Sequence, residues 1–172
     1  AYAGGLNEEY GVKTLVEAVI QLEGVELALY GKGLLHDYLL KVSKENKRIV
    51  YKGFIPPYEI NEKLLLADCL VNPRPSSPDF VRYSFPSKTI EYMALGLPLL
   101  MTRLPSLSDD YLPHIFVIQE ETVSGMVTAL TYVSRQSSHD LEQVGINGQS
   151  FVLQTRSFNA QGSRLEKFLN SI

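Results

Sequence analysis

The sequence predicts an α/β fold in which a doubly wound, Rossmann-like parallel sheet of about six strands carries helices on both faces. Short apolar runs alternate with helical patterns along most of the 172 residues, and this alternation is typical of parallel sheets with crossover helices. Glycine-containing loops follow several of the apolar runs, as expected where the strands of such a sheet end near a ligand. Beyond residue 138 only helical patterns remain, so a C-terminal helical tail is expected.

The individual elements follow from local pattern. The strand candidates are short apolar runs at residues 1–4, 25–30, 48–51, 69–72, 97–102 and 115–118. Helices fit between them at residues 12–22, 34–45 and 58–67, from about 86 to 95, and at 122–135. In the first helix Leu15, Val16 and Val19 form part of a broad apolar face. The tail carries two further helical patterns, which are broken near residues 155–159. We therefore expect one domain at residues 1–135 and added helices at 136–172.

Composition excludes several classes of protein. A net charge of −3 and a pI near 5.6 argue against a general binder of nucleic acid or of membrane surfaces. The chain has no apolar run of the ~20 residues that a membrane span needs and does not begin like a signal peptide. A soluble, cytoplasmic protein is expected. Cys69 is the one cysteine and lies in an apolar run, which favours a buried, unreactive thiol.

The stretch from Tyr83 to Leu100 is the most informative part of the sequence. Pro86 suits the first position of a helix, where Ser84 or Ser87 can accept from the free amides of the first turn. The positive end of that helix favours an anion, and Lys88 adds a full charge. Glu91 lies one turn further on and could accept hydrogen bonds from sugar hydroxyls. The local pattern alone is equally compatible with an ordinary surface helix.

Four loops are expected to meet at the carboxyl ends of the strands. They contain Gly4-Gly5, Gly31-Lys32-Gly33, the segment from Gly53 to Pro57, and the long segment from Pro73 to Tyr83. The last is longer than usual for such connections, and long ordered loops tend to be functional. Its Arg74 and Arg82 could bind phosphate oxygens, although each is also compatible with a solvated surface charge.

No metal site is expected from the sequence. The histidines, His36, His114 and His139, are scattered, and no carboxylate pair stands at ligand spacing. We interpret Asp109-Asp110 as a solvated turn and assign His114 a structural role.

The order of these elements resembles the C-terminal, donor-binding half of retaining glycosyltransferases of family four, which have two Rossmann-like domains (the GT-B fold). The resemblance rests on five segments and covers residues 1 to about 135. The segments are Tyr2–Val12 with its helix, Leu27–Gly33, Ile49–Ile55, Leu66–Pro73 and Phe85–Pro98. The last is the most specific. It resembles a branch of enzymes, often involved in building bacterial surface polysaccharides, that carry a Pro-x-Lys-x-x-Glu-Tyr block.

The resemblance implies a role for most of the candidate residues. Glu91 matches the second glutamate of the family's Glu-x7-Glu motif, which holds the ribose of a nucleoside diphosphate sugar. Gly4 and Gly5 match the loop that approaches the diphosphate, and Phe54 and Ile55 match the position that meets the base. Lys88 and Glu91 form the expected catalytic pair. The expected nucleotide-sugar-binding set is Gly4, Gly5, Gly31, Lys32, Phe54, Ile55, Arg74, Arg82, Tyr83, Ser84, Ser87, Lys88, Thr89 and Glu91.

The sequence departs from the family pattern at three positions. Tyr83 stands where the motif has its first glutamate, so the usual contact to the donor sugar is absent or replaced. Gly5 and Tyr10 stand where the first loop has an arginine and a lysine. The expectation is that Lys88 and the arginines of the long loop compensate for the lost charge.

The resemblance further implies a complete enzyme that transfers a hexosyl group, with retention of configuration, to a glycan or lipid-linked acceptor and needs no cofactor beyond its donor. The acceptor-binding N-terminal domain is not in this chain, so an excised domain or truncated product without activity of its own is expected. Nucleic acid is not an expected partner. Peripheral association of the full enzyme with the inner face of the cytoplasmic membrane is left open. Three alternatives also remain open: a non-catalytic nucleotide-sugar or glycan binding module, a flavodoxin-like or receiver-like domain, and a sugar-nucleotide epimerase.

Overall fold

The computed structural model describes residues 1–77, 79–85 and 87–172. Its sheet strands are β1 (Tyr2–Gly5), β2 (Leu27–Lys32), β3 (Ile49–Gly53), β4 (Leu70–Asn72), β5 (Leu99–Thr102) and β6 (Phe116–Ile118). The helices are α1 (Val12–Ile20), α2 (His36–Glu45), α3 (Pro57–Leu64), α4 (Ser87–Ala94), α5 (Val123–Ser134), α6 (Ser138–Thr155) and α7 (Phe158–Leu169). Three 3₁₀ helices span Glu8–Tyr10, Asp79–Tyr83 and Asp109–His114.

All strand pairs are parallel. β1, β2 and β3 form one three-stranded sheet, and β4, β5 and β6 form another. The amide of Val71 donates to the carbonyl of Ala1 over 2.9 Å, which makes the two sheets continuous in the order 3-2-1-4-5-6. This is the order of a doubly wound Rossmann-like sheet, and its strand order reverses between β1 and β4.

Apolar side chains cover both faces of the sheet. One core packs α1, α2 and α5 against strand residues such as Leu29 and Leu100, and the other packs α3, α4 and α6 against residues such as Leu70 and Met101. The alternation arises because successive strand residues point to opposite faces. The predicted fold class is therefore confirmed, including the helical tail with its break between α6 and α7.

Several boundaries differ from the sequence-based expectation. Gly5, Gly31 and Lys32 lie within strands, because β1 and β2 pair through Gly4 with Gly31 and through Gly5 with Lys32. The long segment after β4 contains the 3₁₀ helix Asp79–Tyr83. The expected role of Pro86 as the first helical residue falls outside the described residues. No helix in the described part of the chain is both long enough and apolar enough to span a bilayer.

Candidate functional site

A cavity of about 350 Å³ opens at the carboxyl ends of β1 and β4, at the reversal of strand order. Open α/β sheets bind ligands at this place because the two neighbouring crossovers run to opposite faces and leave a crevice between the strands. The residues that line it are Tyr2, Gly5, Tyr10, Asn72, Arg74, Phe85, Ser87 and Lys88. Among these described lining residues there are two cations and no carboxylate.

The side chain of Lys88 crosses from the first turn of α4 onto the backbone of β1. Gly4 has φ +150°, a conformation that favours glycine, and Lys88 Nζ lies where a Cβ of residue 4 would be. Lys88 Nζ lies 4.3 Å from the centroid of the Tyr2 ring, within the range of a cation–π contact. The Tyr2 hydroxyl in turn donates to the carbonyl of Gly5 over 2.8 Å.

The Lys88 ammonium is poorly compensated where it lies. Burial lowers the pKa of Lys88 to about 8, the charge of Arg74 acts in the same direction, and Glu91 opposes both. In the part of the chain that the structure describes, no carboxylate lies within ion-pair distance of its Nζ. A cation in this state is stabilised by any anion that enters the cavity.

Arg74 and Phe85 form the wall of the cavity on the side of the long loop. An Nη of Arg74 donates to Ser84 Oγ over 3.4 Å, and Ser106 Oγ donates to the Ser84 carbonyl over 3.1 Å. The ring of Phe85 packs at a tilt against Tyr111, with 5.5 Å between centroids. Ser84 and Phe85 are thus held by contacts to the long loop and to Ser106 and Tyr111.

Gly5 and Tyr10, which stand where the family pattern has an arginine and a lysine, pack against each other. A Cβ at residue 5 would lie 2.7 Å from Cε2 of Tyr10, closer than real contacts of that kind. The Tyr10 ring therefore occupies the space that a side chain at residue 5 would need. The cavity is aromatic on this side.

Four lining residues, Tyr2, Tyr10, Asn72 and Phe85, were not among the sequence-based candidates for the site. Asn72 ends β4, is only 4% exposed, and its Nδ2 has no hydrogen-bond partner among the described residues. A buried amide without a partner is unusual and is expected to be satisfied by a ligand or by water. Tyr2 is 1% exposed. One sequence signal could have indicated Asn72, because it ends a predicted strand at the point where the strand order reverses. No such signal indicates Tyr2.

Gly31, Lys32, Phe54 and Ile55 lie outside this cavity. Gly31 packs on Gly4, because a Cβ at residue 31 would collide with the Gly4 carbonyl oxygen. Lys32 Nζ lies 5.2 Å from the centroid of the exposed Phe54 ring, so these two form a neighbouring patch at the ends of β2 and β3. Ile55 is partly buried and packs against the core on the α3 side.

The remaining candidates divide between the cavity, the surface and the core. Ser87 lines the cavity, while Arg82 and Tyr83 are exposed on their 3₁₀ helix, Tyr83 to 90%. Glu91 is exposed on α4, one turn beyond Lys88. The side chain of Thr89 is fully buried and donates to Met101 Sδ over 3.8 Å. Thr89 can therefore serve a ligand only through its backbone amide.

The acidic pair and His114 have structural surroundings. Asp109 pairs with Arg103 over 2.7 Å and Asp110 pairs with Arg156, so neither is simply solvated as the sequence had suggested. His114 stacks on Phe151 with 4.5 Å between centroids. Among the described residues, no group of three or more His, Cys, Asp or Glu side chains could hold a metal ion.

A larger cavity of about 820 Å³ lies elsewhere. Its lining includes residues at the amino ends of the strands, such as Glu26, Asp68 and Cys69. Burial raises the pKa of the Cys69 thiol to about 11, so the thiol is protonated at neutral pH and is a poor nucleophile. The chemistry expected at a doubly wound sheet belongs to the opposite end, where the smaller cavity lies.

The fold and the cavity define this chain as a Rossmann-like half of the GT-B architecture. The profile described as "Glycosyl transferases group 1" matches residues 1–136, and the chain belongs to this family. No curated protein sequence matches the chain significantly. The domain is thus a glycosyltransferase domain with the GT-B fold.

Solved structures with the same fold include three glycosyltransferases or related proteins of low sequence identity. Anabaena Alr3699/HepE in complex with UDP is 16% identical, with a TM-score of 0.72 over 99% of this chain and 49% of that chain. Sucrose-phosphate synthase (tll1590) from Thermosynechococcus elongatus is 19% identical, with a TM-score of 0.75 over 99% of this chain and 45% of that one. The catalytic domain of cholesterol-α-glucosyltransferase from Helicobacter pylori is 15% identical, with a TM-score of 0.69 over 89% and 96%. The chain therefore spans about half the length of the first two.

Replacing the Lys88 charge should stabilise the fold. Its pKa is about 8 in the folded chain against an ordinary value of 10.5, so below pH 8 the charged lysine carries its full burial penalty. Between pH 8 and 10.5 the unfolded chain binds more protons than the folded chain, and the penalty disappears. We expect Lys88→Met to raise the free energy of unfolding in urea by about 1–3 kcal/mol at pH 7, with the gain shrinking toward pH 10.

The exposed residue Lys44 provides the matched control, because Lys44→Met should give no such gain. A Lys88→Met protein that is less stable than the wild type at pH 7 would contradict the burial penalty.

Proposed function

We propose that the chain is the donor-binding half of a retaining glycosyltransferase and binds a nucleoside diphosphate sugar in the cavity between β1 and α4. The complete enzyme then transfers a hexosyl group to a glycan or lipid-linked acceptor. The family and the fold support the class of enzyme. The donor, the residues that bind it and the retaining mechanism are what we propose.

The observation that carries the proposal is the environment of Lys88. A buried ammonium with a lowered pKa, a nearby arginine and a lining free of carboxylates among its described residues favour a ligand of high negative charge. A diphosphate has such a charge. It also suits the start of α4, where free backbone amides and the helix dipole favour an anion. The UDP in the complex of Alr3699/HepE, a structure of the same fold, is consistent with such a ligand.

The proposed roles follow from position. The backbone of Gly4 and Gly5, the amides of residues 87–89 and Lys88 bind the diphosphate, with Arg74 at the side of the cavity. During transfer, Lys88 and the start of α4 stabilise the negative charge that develops on the departing diphosphate. Glu91, on the exposed side of α4, accepts hydrogen bonds from the ribose hydroxyls.

The base is assigned to the neighbouring patch. The exposed Phe54 ring, with Lys32 beside it, offers an aromatic surface of the kind on which a base can stack. Ile55 contributes through its backbone, since its side chain packs in the core. Arg82 and Tyr83 are exposed at the rim and are assigned to the outer part of the donor or to the acceptor side.

A second domain is proposed to complete the site. The C-terminal helix α7 has no buried residue among those described, and its exposed apolar residues, Phe158, Leu165, Phe168 and Leu169, recur on one face. The chain spans 49% of Alr3699/HepE. We assign this face to contact with the acceptor-binding half of the complete protein.

A non-catalytic nucleotide-sugar binding module is the second candidate. It is favoured by Tyr83, which is 90% exposed and stands where the family pattern has its first glutamate. The two candidates make the same prediction for donor binding and differ in whether the complete protein turns over.

Titration calorimetry of the chain with uridine, guanosine and adenosine diphosphate sugars tests the donor site. One of the three series should bind. Lys88→Ala should weaken that binding about 10- to 100-fold, because a charge-assisted hydrogen bond contributes roughly 1.5–3 kcal/mol. Glu91→Ala should weaken it about tenfold by removing the ribose contact.

The matched controls are Lys44→Ala and Glu142→Ala, which remove exposed charges on α2 and α6 and should leave the affinity unchanged. An unaltered affinity in Glu91→Ala would refute the ribose assignment. Failure of all three sugar-nucleotide series to bind the wild-type chain would refute the donor site itself.

Transfer activity is expected only in the presence of the second domain. The isolated chain, incubated with the donor that it binds and with membrane acceptors, should give no transfer above background, because we assign acceptor binding to the second domain. Robust turnover by the 172 residues alone would contradict this. Donor binding without turnover in the complete protein would favour the non-catalytic module.

A further inference from the structure

Tyr92 of α4 makes two hydrogen bonds to one residue of β1. Its hydroxyl accepts from the amide of Ala3 over 2.7 Å and donates to the carbonyl of the same residue over 3.0 Å. Tyr92 is 3% exposed, so both bonds are shielded from water. Burial also raises the pKa of Tyr92 well above its ordinary value, and the hydroxyl therefore keeps the proton with which it donates.

These bonds replace a rung of the sheet. The Ala1 carbonyl accepts from the amide of Val71, and in a regular parallel ladder the Val71 carbonyl would accept next from the amide of Ala3. That amide donates to Tyr92 instead. On its opposite edge β1 stays paired with β2 in register through Gly5. The Tyr92 hydroxyl therefore bonds the Ala3 backbone where β4 would otherwise pair with it, at the point where β1 and β4 separate.

The separation of β1 and β4 coincides with the cavity. Gly5 and Asn72, the residues that end the two strands, face each other across it. Lys88 precedes Tyr92 by one helical turn and lies over Gly4. The bonds from Tyr92 to Ala3 thus fix the start of α4 against the strand on which Lys88 rests.

We propose that Tyr92 is a positioning residue, whose hydroxyl holds β1 and β4 apart and sets α4 so that Lys88 projects into the crevice. This inference rests on the proposed function only for the identity of the ligand. Without the hydroxyl, the Ala3 amide pairs with the Val71 carbonyl, the crevice narrows, and Lys88 moves out toward solvent.

Tyr92→Phe removes the hydroxyl and keeps the ring. The variant should bind UDP at least tenfold more weakly than the wild type. Thr122→Ala is the matched control for a general loss of stability, since it removes the N-cap bond of α5 to Gly125 and Thr122 does not line the cavity. If Thr122→Ala lowers the free energy of unfolding as much as Tyr92→Phe does, its affinity for UDP should stay within twofold of the wild-type affinity. Equal affinities in wild type and Tyr92→Phe would overturn the proposal.

A second readout separates this proposal from the donor assignment. The groups that face Lys88 are Tyr2, Arg74 and Glu91, and all remain in Tyr92→Phe. In ligand-free protein, the NMR titration of the Lys88 Cε–Hε signals should move upward in pH in Tyr92→Phe and stay unchanged in Thr122→Ala. An unchanged midpoint in Tyr92→Phe would overturn the proposal even if UDP failed to bind the wild type.

Wild-type protein gives a third test, which does not depend on the folding of any variant. The Tyr92 hydroxyl proton should exchange slowly with water and show a nuclear Overhauser effect to the Ala3 amide. A rapidly exchanging hydroxyl proton without that effect would contradict the proposed role of Tyr92.

Discussion

The site depends on one constraint, which is that the Lys88 ammonium lies against the backbone of β1 with no carboxylate of the described residues at ion-pair distance. Lys88 Nζ lies where a Cβ of residue 4 would be, and it is 4.3 Å from the centroid of the Tyr2 ring. Removing an ammonium from water is costly, and the lowered pKa of Lys88 reflects that cost. The fold tolerates this free-energy cost at the place where strand order reverses, and the proposed diphosphate would offset it.

The aromatic side of the cavity follows from the same constraint. A further arginine at residue 5 and a lysine at residue 10 would add like charges close to Lys88 and Arg74, which raises the energy of all four. Gly5 and Tyr10 avoid this repulsion and fill the space with a ring. The cavity therefore concentrates its positive charge on the α4 side. A diphosphate bound there would lie closer to the start of α4 than to the loop after β1.

The sequence predicted the fold and the centre of the site because both depend on local signals. Alternating apolar runs specify a doubly wound sheet, and the topology then brings Gly4, Gly5 and Lys88 to one crevice. Tyr92 and Asn72 were missed for a different reason. Tyr92 looks like an ordinary core residue of an amphipathic helix, and its bonds reach Ala3, 89 residues away in sequence, so no local pattern indicates them.

Other differences arise where local pattern does not fix side-chain direction. Thr89 lies in the first turn of α4, but the helix phase turns its side chain onto Met101. Tyr83 and Arg82 belong to a 3₁₀ helix that the sequence did not indicate, and this helix leaves both exposed. Gly31 and Lys32 are ladder residues because β2 continues further than its apolar run.

The most direct test of the account is the number of protons taken up when the chain binds the nucleoside diphosphate that the titration selects. Because burial lowers its pKa to about 8, the free Lys88 is partly deprotonated at pH 8, and a bound diphosphate should hold it charged, so net proton uptake is expected. Calorimetry at pH 8 in two buffers of different ionisation enthalpy measures this number. The account predicts such uptake in the wild type and none in Lys88→Met. Absence of uptake in the wild type, or equal uptake in both proteins, would contradict it.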